Sequence, residues 1–446
     1  MARIFGTDGV RGLANDNLTP ELALDIGFAL VTVLREEGVN RPELLIGRDP
    51  RWSGLMLLAG LVAGITSAGG DAVDLGILPT PAVAHLTEAN GASAGLVISA
   101  SHNPMSDNGI KVFGHDGFKL TDAEEDRLLD LLGSRTGKRP QGTDVGRMRI
   151  DHRSRERYIG HVVAAAGADL EGLRVVVDGA NGAASDVSPE VLRRLGAEVI
   201  EVACRPDGAN INDGVGSTYP DVIAKAVVEH GADVGIAHDG DADRVIAATA
   251  GGEEVDGDLI LAILAQAAQQ AGTLSNNAVA TTVMTNLGFR QAMDRLGIGV
   301  IETKVGDRYV LAAMKEHGLV LGGEQSGHLI ALDCATTGDG VLTAARLLGT
   351  MTATHRSLAD LATVMTRLPQ VLVNVRDVAK AQLDKADAVW AAVHAEEALL
   401  GDQGRVLVRP SGTEQLVRVM VEAPTQADAQ ASADRIARAV TAELAI

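Results

Sequence analysis

The strongest constraint on the fold is a recurring pattern: a short run of apolar residues that stops abruptly at a loop rich in glycine, charge or hydroxyls. Leu44-Leu45-Ile46 runs into Gly47-Arg48-Asp49-Pro50-Arg51, Leu96-Val97-Ile98 into Ala100-Ser101-His102-Asn103-Pro104, and Val175-Val176-Val177 into Asp178-Gly179-Ala180-Asn181-Gly182. Val234-Gly235-Ile236-Ala237 and Leu319-Val320-Leu321 end the same way. Apolar runs of this length read as buried strands, and the segments between them have helical spacing, which predicts α/β layers. Open α/β sheets bind ligands beyond the carboxyl ends of their strands, so the loops are candidate sites. The strand-helix rhythm recurs without a clear internal sequence repeat.

At 446 residues the chain exceeds one ordinary core, and usual domain sizes suggest roughly three or four. The expected boundaries give α/β domains at 1–152, 153–252 and 253–367. Thr19-Pro20 caps a helix that continues through Leu34 and stops at Gly38. Asn108-Gly109 and Asp116-Gly117 read as hairpin turns around Ile110-Lys111-Val112-Phe113, which returns Lys111 toward the serine loop. Thr121 and Glu124 form a capping box, and the polar run 133–147 reads as an exposed connection. From about 368 to 446 the order becomes strand, helix, strand, loop, strand, helix, the pattern of a small α+β domain.

A net charge of -20 argues against a nucleic-acid or anionic-membrane surface, since phosphate backbones recruit dense basic patches. Any phosphate pocket must therefore be locally basic. The 2 cysteines, Cys204 and Cys334, form no Cys-x-x-Cys pair, so neither a disulfide framework nor a structural zinc site is expected. The start of the chain lacks the apolar region of a signal peptide, and no later segment has the length of a membrane span. The expectation is a soluble cytoplasmic protein in a reducing compartment.

Separated loops carry the chemistry. Ser101 follows a strand directly and offers a hydroxyl nucleophile. Gly6-Thr7-Asp8-Gly9-Val10-Arg11-Gly12 sets glycines around the Arg11 guanidinium, a composition that lets backbone and charge approach an anion closely. After His238, the carboxylates Asp239, Asp241 and Asp243 alternate along what reads as an extended segment, and would repel one another without a cation. An EF-hand is excluded because Arg244 and Ala250 stand where Gly and Glu are needed; few hard oxygen ligands favour Mg2+. Gly322-Gly323-Glu324-Gln325-Ser326-Gly327-His328 suits hydrogen bonding to sugar hydroxyls with an imidazole nearby. Arg409-Pro410-Ser411-Gly412-Thr413-Glu414, with Arg418 following, has the groups of an anion cradle. The loop at 178–182 lacks Gly-x-Gly-x-x-Gly spacing, so no dinucleotide cofactor is inferred.

Together, Ser101-His102-Asn103-Pro104, Asp239-Gly240-Asp241-Ala242-Asp243-Arg244, Gly323-Glu324-Gln325-Ser326-Gly327-His328 and Arg409-Pro410-Ser411-Gly412-Thr413-Glu414 resemble the signature loops of the α-D-phosphohexomutases. Phe5 to Gly12, Asn286-Leu287-Gly288 and Gln325 are most similar to the bacterial branch that acts on glucosamine phosphates. Tyr219 departs from the histidine of many relatives, and Lys304 to Arg308 lacks a second histidine.

The resemblance implies three similar mixed α/β domains plus a C-terminal α+β domain around a central active-site cleft. It implies interconversion of glucosamine 6-phosphate and glucosamine 1-phosphate through phosphorylated Ser101 and glucosamine 1,6-bisphosphate, feeding UDP-N-acetylglucosamine and peptidoglycan synthesis. It further implies Mg2+ on Ser101, Asp239, Asp241 and Asp243, with Arg11, Lys111 and His328 serving the reaction. Substrate contacts fall to His102, Arg244, Glu324, Ser326, Arg409, Ser411, Gly412, Thr413 and Arg418. A mutase for mannose or glucose phosphates, separable by relative rates, and a metal-dependent sugar phosphatase, which would release phosphate, remain open. A sugar-phosphate binding protein is a further reading, disfavoured because binding alone needs neither nucleophile nor metal. The oligomeric state is open, a homodimer among the options.

Overall fold

Ala94–Ile98, the strand leading to Ser101, is buried along its whole length at the centre of a seven-stranded sheet. The computed structural model describes residues 5–6, 9–135, 139–411 and 414–446. Among them the first sheet runs Phe5–Gly6, Gly9–Leu13, Asp107–Gly114, Ala94–Ile98, Glu43–Arg48, Asp71–Ile77, Met148–Ile150. Glu43–Arg48 pairs in parallel with both of its neighbours, whereas Asp107–Gly114 is antiparallel to Ala94–Ile98. Helices Pro20–Glu36 and Ser53–Ala68 bury Ile26, Leu30, Leu57, Leu61 and Ile65 in the core of this layer. Thr19 Oγ accepts the Leu22 N–H and Gly38 takes φ 96, the start and stop anticipated for the first helix.

Asn108-Gly109 is not a turn. Both residues lie inside Asp107–Gly114, where a β-carbon on Gly109 would stand 2.4 Å from the Ser99 carbonyl oxygen. The glycine serves close backbone approach within the sheet, which local turn preference cannot report. Lys111 still arrives beside the serine loop, carried by the strand itself, and Asp116-Gly117 supplies the turn that follows.

A second sheet runs Glu254–Val255, Val245–Thr249, Val234–His238, Arg174–Asp178, Glu198–Val202. A third runs Gly299–Thr303, Ala278–Thr282, Leu321–Gly323, Leu329–Ala331. In the second sheet the apolar runs at 175–177 and 234–237 become buried strands, whereas in the third only Leu321 of Leu319-Val320-Leu321 lies in a strand, Leu321–Gly323. The chain divides into two compact units, Met1–Met284 with Ile298–Thr363, and Thr285–Gly297 with Val364–Ile446.

The second unit contains an antiparallel sheet in the order Gln370–Arg376, Leu416–Glu422, Arg405–Pro410. Helices Asp387–Leu400 and Gln426–Leu444 bring Val389, Val393, Ile436 and Val440 into the core with Val417, Val419 and Val421. This matches the α+β rhythm read from the sequence. Helix Leu287–Leu296 belongs to the same unit: buried Glu422 accepts the Leu287 N–H at 2.9 Å and Arg405 Nη2 at 3.2 Å, so its charge is compensated. Among the described residues no helix is long and apolar enough to cross a membrane.

Candidate active site

Ser101 leaves its strand in a left-handed conformation, φ 53, which residues with a β-carbon seldom adopt. Its Oγ donates to Asp239 Oδ2 at 2.5 Å and lies 3.3 Å from His102 Nδ1. Asp239 comes from the loop after Val234–His238, so Ser101 and the acidic loop meet across two sheets. Asp239, Asp241 and Asp243 are all buried, and each presents a carboxylate oxygen within 4.8 Å of the others. They converge through a tight turn, with Ala242 at φ 56 and its N–H donating to the Asp239 carbonyl, rather than along the extended segment expected from their alternation.

Buried like charges so close together need a cation. Lys111 Nζ supplies part of that charge, donating to Asp241 Oδ2 at 2.8 Å and to Asp243 Oδ2 at 3.1 Å. Asp241 Oδ1 remains buried without a hydrogen-bond partner, and burial together with Asp243 and Asp241 pushes the Asp239 carboxyl well above its ordinary range. An all-carboxylate donor set with an orphaned buried oxygen fits a hard divalent ion.

Cations also lie near the serine loop. His102 is pushed down to about 4 by burial and by the charges of Arg244 and Arg11. Arg11 lies opposite Gly109 in the first sheet, and Arg244 Nε stands 3.7 Å from Asp243 Oδ1. Ser101 thus lies beside three carboxylates that could hold a metal ion and near positive charge suited to a phosphate.

The loop at 322–328 docks on the acidic loop: Val245 donates its N–H to the Gly327 carbonyl at 3.1 Å. Glu324 Oε1 accepts the Gly306 N–H at 3.1 Å, and Ser326 is exposed. His328 is buried, its ring nitrogens lack hydrogen-bond partners, and Nε2 is 3.7 Å from Asp307 Oδ2, which also receives Lys119 Nζ at 2.6 Å. Gln325 Nε2 donates to Asp256 Oδ2 at 3.4 Å.

In the C-terminal unit, Arg409 and Arg418 stand directly opposite each other on adjacent strands. Burial and the Arg418 charge push Arg409 below its ordinary range. Ser411 Oγ accepts the Glu414 N–H at 3.2 Å, while Lys380 Nζ donates to the carbonyls of Ser411 and Glu414 at 2.6 and 2.7 Å. The expected contacts at Gly412 and Thr413 lie outside the described residues, as do Thr7 and Asp8.

Several residues around Ser101 were not singled out as site residues. Arg51 is wholly buried under the serine loop with Asp49, and Arg48 pairs with Asp74 at 2.9 Å, so neither has the place of an arginine presented to ligand. Asn212 and Ser99 also bond the serine loop. A separate cavity of 1280 Å³, lined by Leu264, Ala268, Leu329, Arg346 and Met351 among others, contains none of the candidate site residues.

The chain belongs to the phosphoglucomutase/phosphomannomutase family. Residues 2–137, 156–252 and 256–368 match its alpha/beta/alpha domains I, II and III, and 372–439 its C-terminal domain. Phosphoglucosamine mutase of Saccharopolyspora erythraea is 57% identical, the match covering 99% of this chain and 100% of the relative. Phosphoglucosamine mutase of Thermobifida fusca is 55% identical over the full length of both. Among solved structures, a phosphoglucomutase/phosphomannomutase family protein of Burkholderia thailandensis shares the fold with a TM-score of 0.83 at 24% identity, covering 99% of each chain. Aspergillus fumigatus N-acetylphosphoglucosamine mutase, in complex with GlcNAc-6P and magnesium, superposes with a TM-score of 0.64 at 17% identity, over 98% of this chain and 95% of that one.

Proposed function

We propose that this chain interconverts glucosamine 6-phosphate and glucosamine 1-phosphate through a phosphoserine at Ser101 and glucosamine 1,6-bisphosphate. The observation that carries the reading is the buried Ser101 hydroxyl on Asp239 Oδ2, one of three converging carboxylates, with the Arg11 and Arg244 charges acting on the neighbouring His102. Full-length relatives named phosphoglucosamine mutase support the choice of sugar. The domain boundaries at 152, 252 and 367 belong to the same proposal.

In the first half-reaction the phosphorus to Ser101 Oγ bond breaks as a sugar hydroxyl bonds to phosphorus. The electron pair returns to Oγ and the hydroxyl proton passes to a base. The second half-reaction reverses these steps with the other phosphate of the bisphosphate. Asp239, Asp241, Asp243 and Ser101 would hold Mg2+, which when bound neutralises charge on the transferring group. Arg11 and Arg244 neutralise the phosphate on Ser101, and His102 helps to orient it. His328 and Lys111 are the proton-transfer groups; neither ring nitrogen of the buried His328 is hydrogen-bonded, while Lys111 donates to Asp241 and Asp243 in this geometry. Glu324 and Ser326 bind sugar hydroxyls, and Arg409, Ser411, Gly412, Thr413 and Arg418 bind the phosphate that is not reacting.

The test is a coupled assay on glucosamine 6-phosphate, with and without a bisphosphate primer, beside mannose and glucose phosphates, combined with mapping of phosphate on the protein. Wild type should turn over the amino sugar fastest and carry phosphate on Ser101, and Ser101→Ala should do neither while keeping its fold. Faster turnover of mannose or glucose phosphate, or an active Ser101→Ala variant, would overturn the corresponding half of the proposal.

A further inference from the structure

We propose that Asp49, Arg51, Ser99 and Asn212 form a positioning frame for the nucleophile, with Asn212 as the member that ties Ser101 to the sheet carrying the acidic loop. The inference rests on the phosphoserine reading and goes beyond it by naming what holds the serine in place.

The frame is a closed circuit of hydrogen bonds. Ser101 donates its N–H to Ser99 Oγ at 3.0 Å, and Ser99 Oγ donates to Asp49 Oδ2 at 2.6 Å. Asp49 Oδ2 pairs with Arg51 Nη1, and Arg51 Nη2 returns to the carbonyls of Ser101 at 3.3 Å and Asn103 at 2.5 Å. Asn212 Nδ2 donates to the same two carbonyls, at 2.9 and 3.1 Å. Both peptide groups that flank the Ser101 side chain are thereby fixed, which maintains its left-handed backbone and holds Oγ on Asp239.

Asn212 is itself held in place. It takes φ 56, and its N–H donates to the Ala180 carbonyl at 2.9 Å. The buried Asp178 carboxylate accepts the N–H groups of Ala180 and Gly216, each at 2.8 Å. The loop at 178–182, which has the glycines but not the spacing of a cofactor loop, is thus a platform for Asn212. Gly240 closes the arrangement, since a β-carbon there would stand 2.5 Å from the Ser101 carbonyl oxygen and 2.8 Å from Asn212 Nδ2. Only a bare backbone lets the acidic loop, Asn212 and the serine loop meet.

A group that orients a nucleophile without touching substrate should act on the chemical step, because small displacements of reacting atoms cost rate more than binding. Asn212→Gly tests this cleanly: glycine tolerates the left-handed backbone, so only the amide is removed. Asn212→Asp keeps shape and backbone preference but turns an oxygen toward two carbonyls. For Asn212→Gly we expect kcat to fall about tenfold or more with KM within about twofold, and for Asn212→Asp a larger fall of the same kind. Melting temperature is read alongside, and Asn212→Gly decides alone should the aspartate variant not fold. Wild-type kcat in Asn212→Gly, or a loss confined to KM, would overturn the frame while leaving the phosphoserine reading intact. A wild-type enzyme without phosphate on Ser101 would remove that reading and this inference with it.

Discussion

Thr80 and Asp241 are joined twice: the Thr80 hydroxyl donates to Asp241 Oδ2 at 2.6 Å, and the Thr80 N–H donates to the Asp241 carbonyl at 2.9 Å. Thr80 opens helix Thr80–Ala89 beside the first sheet, so the acidic loop is gripped by side chain and backbone together. Thr80→Val keeps the shape and removes the hydroxyl, leaving a buried carboxylate oxygen with one donor fewer, a loss of about 1–3 kcal/mol. Partners that orient metal ligands typically matter roughly 10- to 100-fold in affinity, so the variant should bind Mg2+ that much more weakly by calorimetric titration. Equal affinities for wild type and variant would show that the grip serves only the packing of the helix.

Asp241→Asn addresses the proposed ligand itself. It removes one of the clustered charges, weakening the attraction for a divalent ion, while Lys111 retains Asp243 as a partner. Activity of the variant should need more Mg2+ to reach half its maximum, and its unfolding midpoint should respond less to added metal. Full activity in excess chelator would exclude a metal role for the loop.

What could be read in the sequence divides along contact distance. The clustering of Asp239, Asp241 and Asp243 is legible because the residues are contiguous, and the strand that leads to Ser101 because its signal is strictly local. Asn212 and Thr80 were not, since they meet their partners across 111 and 161 positions, and nothing near either residue in the chain announces that. Arg51 illustrates a different limit: a guanidinium past a strand end suits ligand binding or burial equally well, and only the fold places Asp49 and two carbonyls around it. Asn108-Gly109 misled for a related reason, because a glycine needed for close approach has the same local signature as one needed for a turn.

A pair of stacked imidazoles makes stability depend on pH. His85 and His161, on helices Thr80–Ala89 and Ser154–Ala166, lie with ring centroids 3.6 Å apart. Burial, then the charges of His161 and Arg157, push His85 down to about 4, and burial lowers His161 as well. An unfolded histidine takes its proton near about 6.5, so between that value and the folded one the unfolded chain binds more protons and stability rises with pH. The contribution is fully present above about pH 6.5 and is lost as pH falls toward the folded values. His85→Phe keeps an aromatic surface without the titration, so it should lose less stability than wild type across that window in urea unfolding. Parallel curves for the two proteins would exclude His85 as a source of acid lability.

Arg409 and Arg418 face each other across an antiparallel pair, an arrangement that costs stability when like charges stand directly opposite. Burial adds to that cost at Arg409. Glu414 lies 3.5 Å from Arg418 Nη2, and Lys380 donates to the carbonyls of Ser411 and Glu414. An anion bound there would relieve the repulsion, and binding to the folded state alone raises apparent stability by mass action. Inorganic phosphate should therefore raise the melting temperature of the wild type. Arg418→Ala should melt at or slightly above the ligand-free wild type and gain much less from phosphate. A clamp on a remote phosphate grips ground and transition states alike, so the variant should mainly raise KM, by roughly tenfold for each 1.4 kcal/mol of binding lost. Because a mutase presents either end of its sugar to one serine, the rise should appear with the 6-phosphate and the 1-phosphate equally. A rise with one sugar phosphate only, at unchanged response to inorganic phosphate, would show that the two arginines serve the stability of the sheet and that another group holds the second phosphate.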